Sequence, residues 1–289
     1  MEEIESITTG TYHENDRITD GLDIFFWVFD DERSYVSTHW HSAIEVMYIM
    51  DGQVNIAIDG KTTTLVKDDI FLVDSAVAHS TKSLHGNYAV LIQFPYPLLK
   101  RYIPDIDSLR FSFDCHSGDP EEMRKQEELK KITKKMKKVF ETNPDMGILK
   151  FNSLVFEFLY VMHKNFARQM PAAEGKKEEK TFKRITQVLD YLEKNYNKQI
   201  SLEEIASVAC FQKEYFCHFF KKNMGISYSK YLNELRISHI YKDLSETNIP
   251  LKDLLEIHGF TNYKLFRSMF YEEFHTTPGE YRKKLQENN

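Results

Sequence analysis

Along the first hundred residues, apolar side chains come in short runs broken by turn formers: IFFWVF (24–29), IEVMYIM (44–50), QVNIAID (53–59), TTTLV (62–66), IFLV (70–73) and YAVLIQF (88–94). β-Branched and aromatic residues dominate these runs, which suits a pleated, half-buried surface and predicts strands. Asp59-Gly60 lies between two of them, where glycine supplies the positive φ of a tight hairpin, and Asp51-Gly52 punctuates another junction. Short strands at even spacing indicate a sandwich or barrel.

From Pro120 the period changes. Leu129, Ile132, Met136, Val139 and Phe140 fall on one face of a helix whose other face is almost all Lys and Glu. After Asn143-Pro144 a second helix follows from Ile148 to Phe166, apolar nearly all round, so it must pack on more than one surface: the sheet and a partner chain are the candidates. Residues 168–181, RQMPAAEGKKEEKT, have the composition of an exposed linker. The expected division is a barrel over 1–118, a helical pair for dimerisation over 119–167, the linker, and a helical domain over 182–289.

The helical domain compares with itself. At an offset of 50, Tyr215-Phe216 matches Leu265-Phe266, Phe219-Phe220 matches Met269-Phe270, Ser227 matches Thr277 and Tyr231 matches Tyr281. Upstream the offset is 49, pairing Leu202 with Leu251, Ile205 with Leu254 and Phe211 with Phe260, so the second copy carries one extra residue in its turn. Two copies of a short helix, a turn and a longer helix are predicted, with Ser201/Glu204 and Thr277/Glu280 as capping boxes and Pro278 in a first helical position. In the first longer helix (212–223), Tyr215, Phe216, Phe219 and Phe220 are spaced for the core, leaving Lys213, Cys217, His218 and Lys221 outward. The second (261–273) turns Asn262, Tyr263, Lys264, Arg267 and Ser268 outward. Helices of this kind read major-groove base edges while Lys and Arg hold phosphates, and a long helix over 229–245 would set them one DNA turn apart.

This pattern resembles the AraC/XylS family of transcription regulators over roughly residues 183–286. The resemblance is carried by ISLEEIA (200–206), FFKKNMGISYSKYLNELRI (219–237), GF (259–260) and TPGEYR (277–282). It implies a double helix-turn-helix that binds double-stranded DNA. The chain departs from the family at Cys210 (usually Gly), Gln212 (usually a capping Ser), Leu255 (usually Ala), Tyr271-Glu272 (usually a basic pair) and His275 (usually Gly). The first unit, with Lys221 and Lys222, is therefore expected to supply more of the phosphate contacts.

Charge agrees in direction. The chain carries −6 overall, but residues 181–289 hold 16 basic and 14 acidic residues, so the acidic excess lies in front of them. Three cysteines, Cys115, Cys210 and Cys217, make no disulfide framework. The opening MEEIESITTG has neither the basic start nor the apolar core of a signal peptide, and no run of about 18 apolar residues occurs, so a cytoplasmic protein without membrane contact is expected.

In the front domain, His39-x-His41-x3-Glu45, followed after six residues by Gly52, has the spacing of the first cupin motif, and His79 stands where the second motif places a histidine. Residues i and i+2 of a strand share a face, so His39 and His41 point the same way. Three imidazoles and a carboxylate suit Fe, Mn, Ni or Zn. The family resemblance implies instead a barrel that keeps such histidines without metal and binds a small effector, often a sugar. Trp27, His39, His41, Glu45, Tyr48 and His79 are the expected effector contacts, with Trp40 as a further flat aromatic face.

The expected fold is two-domain α+β: a cupin-like β-barrel (jelly roll) with two following helices, then an all-α double helix-turn-helix. The expected function is a homodimeric, non-enzymatic DNA-binding regulator controlled by a carbohydrate effector, with RNA polymerase a candidate partner and no cofactor. Two alternatives stand beside it. One is a metal-dependent cupin enzyme, an isomerase or oxygenase holding a divalent metal on His39, His41, Glu45 and His79. The other is a regulator whose second unit has degenerated and which acts through a protein partner.

Overall fold

In the computed structural model, residues 18–19, 21–31, 34–83, 85–170 and 172–287 are described; the opening segment examined for a signal peptide lies outside them. The first six strands are β1 (Phe25–Asp31), β2 (Ser34–His39), β3 (Ile44–Ile58), β4 (Lys61–Val66), β5 (Ile70–Val73) and β6 (His79–Ser83), and β7 (Asn87–Phe94) completes the barrel. They pair antiparallel in the order β1-β7-β3-β6-β2, with β4 and β5 also on β3. The two runs expected on either side of Asp51-Gly52 are one strand of 15 residues. Its first half pairs with β5 and β7, and its second with β4 and β6, so β3 belongs to both walls. The bend between the halves needs Gly52: its φ is +76°, and a Cβ there would lie 2.3 Å from the Gly86 carbonyl oxygen.

Alternation along β3 sorts its side chains. Met47, Ile49, Val54 and Ile56 turn inward with Leu65, Val73 and Ala89, forming an apolar barrel interior. Ile44, Val46 and Tyr48 turn outward under the helices. β2 and β6, SYVSTH and HSTKS, were not expected as strands because neither carries an apolar run.

After β7 come α1 (Tyr96–Tyr102), a short strand β8 (Leu109–Phe111), α2 (Pro120–Thr142) and α3 (Gly147–Phe166). α2 starts as the sequence indicates, with Asp119 accepting from the Glu121 amide and Pro120 in the first turn, and it stops at Asn143 in a left-handed conformation. Both helices bury apolar faces on the barrel, where Phe151 meets Phe26 edge-on at 5.0 Å and Phe158 stacks on Phe94 at 5.3 Å.

The segment read as a linker is regular structure instead. β9 (Ala167–Gln169) pairs with β8, and α4 runs Ala172–Asn195. Pro and Gly suggested a break, but Ala, Glu and Lys are strong helix formers and continue the helix that begins the next domain.

That domain repeats itself element for element. α5 (Leu202–Val208) corresponds to α8 (Leu251–Ile257), and α6 (Lys213–Met224) to α9 (Tyr263–Phe274), each pair equal in length. α7 (Tyr228–Glu246) and α10 (Pro278–Glu287) start at equivalent positions. α7 serves both units: Tyr228, Tyr231, Leu232 and Leu235 lie in the first core, and Ile237, Ile240, Tyr241 and Leu244 in the second. Where the halves meet, Arg236 donates from Nε to the Tyr196 carbonyl (2.8 Å) and from Nη2 to that of Lys198 (2.7 Å).

β2 lies against α7 and joins the two domains. Tyr35 packs edge-on to Phe274 at 5.0 Å, Thr38 donates to the Glu234 carboxylate at 2.9 Å, and Trp40 sits in the first helical core, edge-on to Phe182 at 4.6 Å. Nearby, Lys82 pairs with Glu273 at 3.2 Å. The Asp59-Gly60 hairpin lies against Gly225, where an added Cβ would stand 3.0 Å from the Asp59 Cα.

Candidate functional site

α6 and α9 form the candidate nucleic-acid interface. In α6, Phe216, Phe219 and Phe220 are buried, while Lys213, Cys217, His218, Lys221 and Lys222 are exposed together. Tyr215, expected in the core, is 57% exposed and joins the outer face. It lies one position before Phe216, so at 100° per residue it falls at the edge of the apolar stripe. Lys213 is held by Glu203 at 2.8 Å, which leaves Lys221 and Lys222 as the cations in the last turn.

In α9, Phe266, Phe270 and Phe274 are buried, and Tyr263, Lys264, Arg267 and Ser268 are exposed. The Arg267 guanidinium lies 6.0 Å from the centroid of the Tyr263 ring. Tyr263, Lys264, Arg267, Ser268, Tyr271, Glu272, Thr277 and Pro278 line an open groove. Asn262 is less available for base contact than expected, because its Oδ1 accepts from the Leu265 amide at 2.9 Å as the helix cap. The roles at the two starts are therefore exchanged: Gln212 caps nothing with its side chain, and Asn262 does.

The departures from the family pattern have local solutions. Cys210 adopts the left-handed conformation (φ +56°) that Gly259 (φ +67°) adopts in the second unit, and His275 (φ +49°) stands where Gly225 (φ +70°) stands in the first. Leu255 is buried in the second core.

The second site lies inside the barrel. His39 ends β2, His79 opens β6 directly opposite it, and Glu45 is on the inward face of β3. One donor atom from each of His39, His41, Glu45 and His79 lies within 4.8 Å of the others, and all four residues are buried. Each imidazole directs Nδ1 at a backbone carbonyl: His39 at Ser37 (2.9 Å), His41 at Ala43 (3.0 Å) and His79 at Val77 (2.9 Å). A carbonyl only accepts, so each Nδ1 carries a proton and, in the neutral ring, Nε2 presents a lone pair.

The Nε2 atoms of His41 and His79 face a carboxylate. His41 Nε2 lies 3.0 Å from Glu45 Oε2, and His79 Nε2 lies 3.5 Å from Oε1 without a hydrogen-bond partner. Gln93 Nε2 donates to Glu45 Oε2 at 2.9 Å. Burial and the neighbouring His79 and His41 hold the His39 imidazole well below its ordinary pKa. Burial pushes the Glu45 carboxyl up, but His79 and His41 outweigh it and hold the group well below the usual range. Convergent acceptors around a carboxylate, with the far ring nitrogens tied to carbonyls, are the donor set of a divalent transition metal and its outer shell. The residues fit such an ion, which would act there as a Lewis acid.

Trp27 is half-buried and stacked with Phe25 at 6.4 Å, beside Leu91 of the interior wall. Two aromatic residues expected in the effector site are elsewhere. Tyr48 is three positions from Glu45 and so points to the opposite face; its hydroxyl donates to Asp68 at 2.6 Å beneath α2. Trp40 points into the helical domain. Gln93 was missed, although a lone amide in the apolar run YAVLIQF, in step with Ala89 and Leu91, marks it as an inward polar group.

Residues 25–92 match the cupin domain family and residues 205–284 the helix-turn-helix domain family. An uncharacterized HTH-type transcriptional regulator of Staphylococcus aureus is 22% identical over 83% of this chain, and this chain spans only 31% of its length. The lactose operon transcription activator of Staphylococcus xylosus is 23% identical over 83% of this chain and 84% of its own. Apo ToxT from Vibrio cholerae superposes over 91% of this chain and 98% of its own, with 11% identity and a TM-score of 0.50, a likeness of fold. The molecule is a cupin barrel joined to a double helix-turn-helix. Its helical part is thus similar to the helix-turn-helix domain family and its barrel to the cupin domain family.

Proposed function

We propose that this chain is a sequence-specific regulator of transcription that binds double-stranded DNA and is controlled by a small effector in its barrel. One observation carries the reading. Two reading helices of equal length, at equivalent positions of a duplicated unit, present Lys221, Lys222, Lys264 and Arg267 to solvent from either side of α7. A cytoplasmic location and contact with RNA polymerase belong to the same reading.

The test is electrophoretic mobility shift with DNA from upstream of the chain's own gene. Changing Lys221 and Lys222 together to Ala is expected to weaken binding to all fragments alike and to flatten the slope of log K against log salt by up to ~1.8, since each neutralised phosphate contributes ~0.9. No specific retardation by the unmodified chain at moderate salt, with or without effector candidates, ends the reading.

A carbohydrate effector draws support from the likeness to the lactose operon transcription activator of Staphylococcus xylosus. The barrel interior offers it little: its wall is Met47, Ile49, Val54, Ile56, Leu65 and Val73, and polar groups converge only at the histidine cluster and Gln93. The metal-dependent enzyme reading rests on that cluster alone; its burial speaks against the open coordination position that catalytic sites keep.

Dimerisation through α3 is part of the proposal, with a second copy of this chain as the occupant. Leu149, Phe156 and Tyr160 recur at i, i+7 and i+11 and are exposed, with Tyr102 edge-on to Phe156 at 4.8 Å. Phe156→Glu with Tyr160→Glu is expected to shift sedimentation from dimer to monomer without changing the melting temperature. An unmodified chain that sediments as a monomer at tens of micromolar removes this part.

A further inference from the structure

We infer that Arg184 of α4 is a phosphate-binding residue of the first helix-turn-helix unit, holding one DNA strand together with Tyr215 and Lys222 along a single flank of α6. The inference rests on the reading of the chain as a DNA-binding regulator and adds a contact from outside the reading helices.

Phe211, in the turn before α6, is the centre of the arrangement. Its half-buried ring packs against Tyr215 at 4.6 Å and Phe219 at 4.8 Å. The Arg184 guanidinium lies 4.5 Å from the centroid of the same ring, so α4 delivers a cation to the edge of α6. Arg184 is exposed, and among the described residues no carboxylate pairs with it. A guanidinium lying over an aromatic face keeps its N–H edge for an oxyanion, and the ring contact limits the freedom that binding would otherwise remove.

Helix geometry places two more donors on the same side. At about 100° per residue, Tyr215 and Lys222 fall within about 20° of each other, some two turns apart, beside the buried stripe of Phe216, Phe219 and Phe220. Both are exposed. A helix lying in the major groove shows its outer face to the bases and its two flanks to the two sugar–phosphate strands, where Arg, Lys and Tyr side chains meet phosphate oxygens. The opposite flank begins with Lys213, already engaged by Glu203 at 2.8 Å. Arg184 and Lys222 have no such partner among the described residues.

The second unit lacks this flank. In place of Tyr215 and Lys222 it carries Leu265 and Glu272, both exposed, one apolar and the other acidic. Phe260, which corresponds to Phe211, is buried, with its ring against Phe266 at 5.4 Å rather than under a cation. The arrangement is therefore a property of the first unit and not a by-product of packing common to both.

The experiment titrates the full-length chain onto DNA from upstream of its own gene over a range of KCl concentrations and maps phosphate contacts by ethylation interference. Arg184→Gln is expected to flatten the slope of log K against log salt by ~0.9, the share of one phosphate, and to weaken specific and non-specific fragments alike. It should also lose interference at one position on one strand beside the α6 half-site. Arg184→Lys keeps the charge and should keep the slope. Lys183→Gln is the charge control: that exposed neighbour points away from the α4 face that buries Ile185, Val188 and Leu189, and its loss should leave the slope unchanged. Circular dichroism and the melting temperature check that each variant folds as the unmodified chain does. Lys222→Gln, tested alongside, should lose an interference position on the same strand as Arg184→Gln; a position on the other strand overturns the shared flank. A folded Arg184→Gln chain with an unchanged slope overturns the inference and leaves Arg184 as a cover for Phe211. So does an equal loss of slope from Lys183→Gln, which would make the effect one of total charge. If the unmodified chain binds no DNA under any condition, the regulator reading fails and takes the inference with it, whereas binding with an unchanged Arg184→Gln slope removes the inference alone.

Discussion

Gly259→Ala is expected to lower the stability of the helical domain by about 3 kcal/mol or more, read as a drop in the midpoint of urea unfolding followed by helical circular dichroism. Two costs combine. The left-handed φ of +67° disfavours any side chain by about 1 kcal/mol, and the added Cβ would stand 2.2 Å from the Asn197 carbonyl oxygen, inside the contact distance of backbone atoms. Asn197 cannot retreat easily, because its neighbours Tyr196 and Lys198 are both clamped by Arg236. Gly60→Ala separates the terms: its φ is +75° but nothing lies within 4 Å, so it should lose only the conformational part. Equal effects at the two glycines would show that the close approach at Gly259 has no energetic weight.

The second large effect is expected in the two cores. Phe220 and Phe270 occupy equivalent positions in the repeat, and each is fully buried. Phe220 packs against Phe216, Tyr228 and Tyr231 at 5.5–6.1 Å between centroids, and Phe270 against Phe266, Phe274 and Tyr281 at 4.5–6.1 Å. Truncation of either to Ala should cost about 3–5 kcal/mol, a large part of a domain's total stability. The cores are separate clusters, so Phe220→Ala should raise hydrogen exchange first in α5 and α6, and Phe270→Ala first in α8 and α9. Uniform loss of protection from both variants would mean that the units unfold together.

Much of this architecture was legible because several local signals agreed. The Ser201/Glu204 capping box, the change of period at Pro120 and the 49- and 50-residue offsets each mark an element border that the fold respects. The cluster His39, His41, Glu45 and His79 was legible from spacing alone. What escaped has a common cause: residues whose partners lie far along the chain. Strands β2 and β6 look polar because His39 and His79 serve the cluster while Thr38 and Lys82 serve the helical domain. Trp40 was taken for a barrel aromatic because nothing local reveals that it sits in the helical core beside Phe182, Phe216 and Phe220. Tyr48 is different, since counting three positions from Glu45 in a strand would have placed it on the outer face.

The shared helix α7, pinned at Arg236, bears on the kind of DNA site the chain would recognise. Its first half completes one core and its second half the other, so the two reading units have no free joint between them. Adding one base pair between two contacted segments rotates the far one by about 35°, given ~10–10.5 base pairs per turn. A flexible tether would absorb that rotation; a common beam does not. On the proposed reading, the protein would register the angular phase between two short sequences as strictly as the sequences themselves.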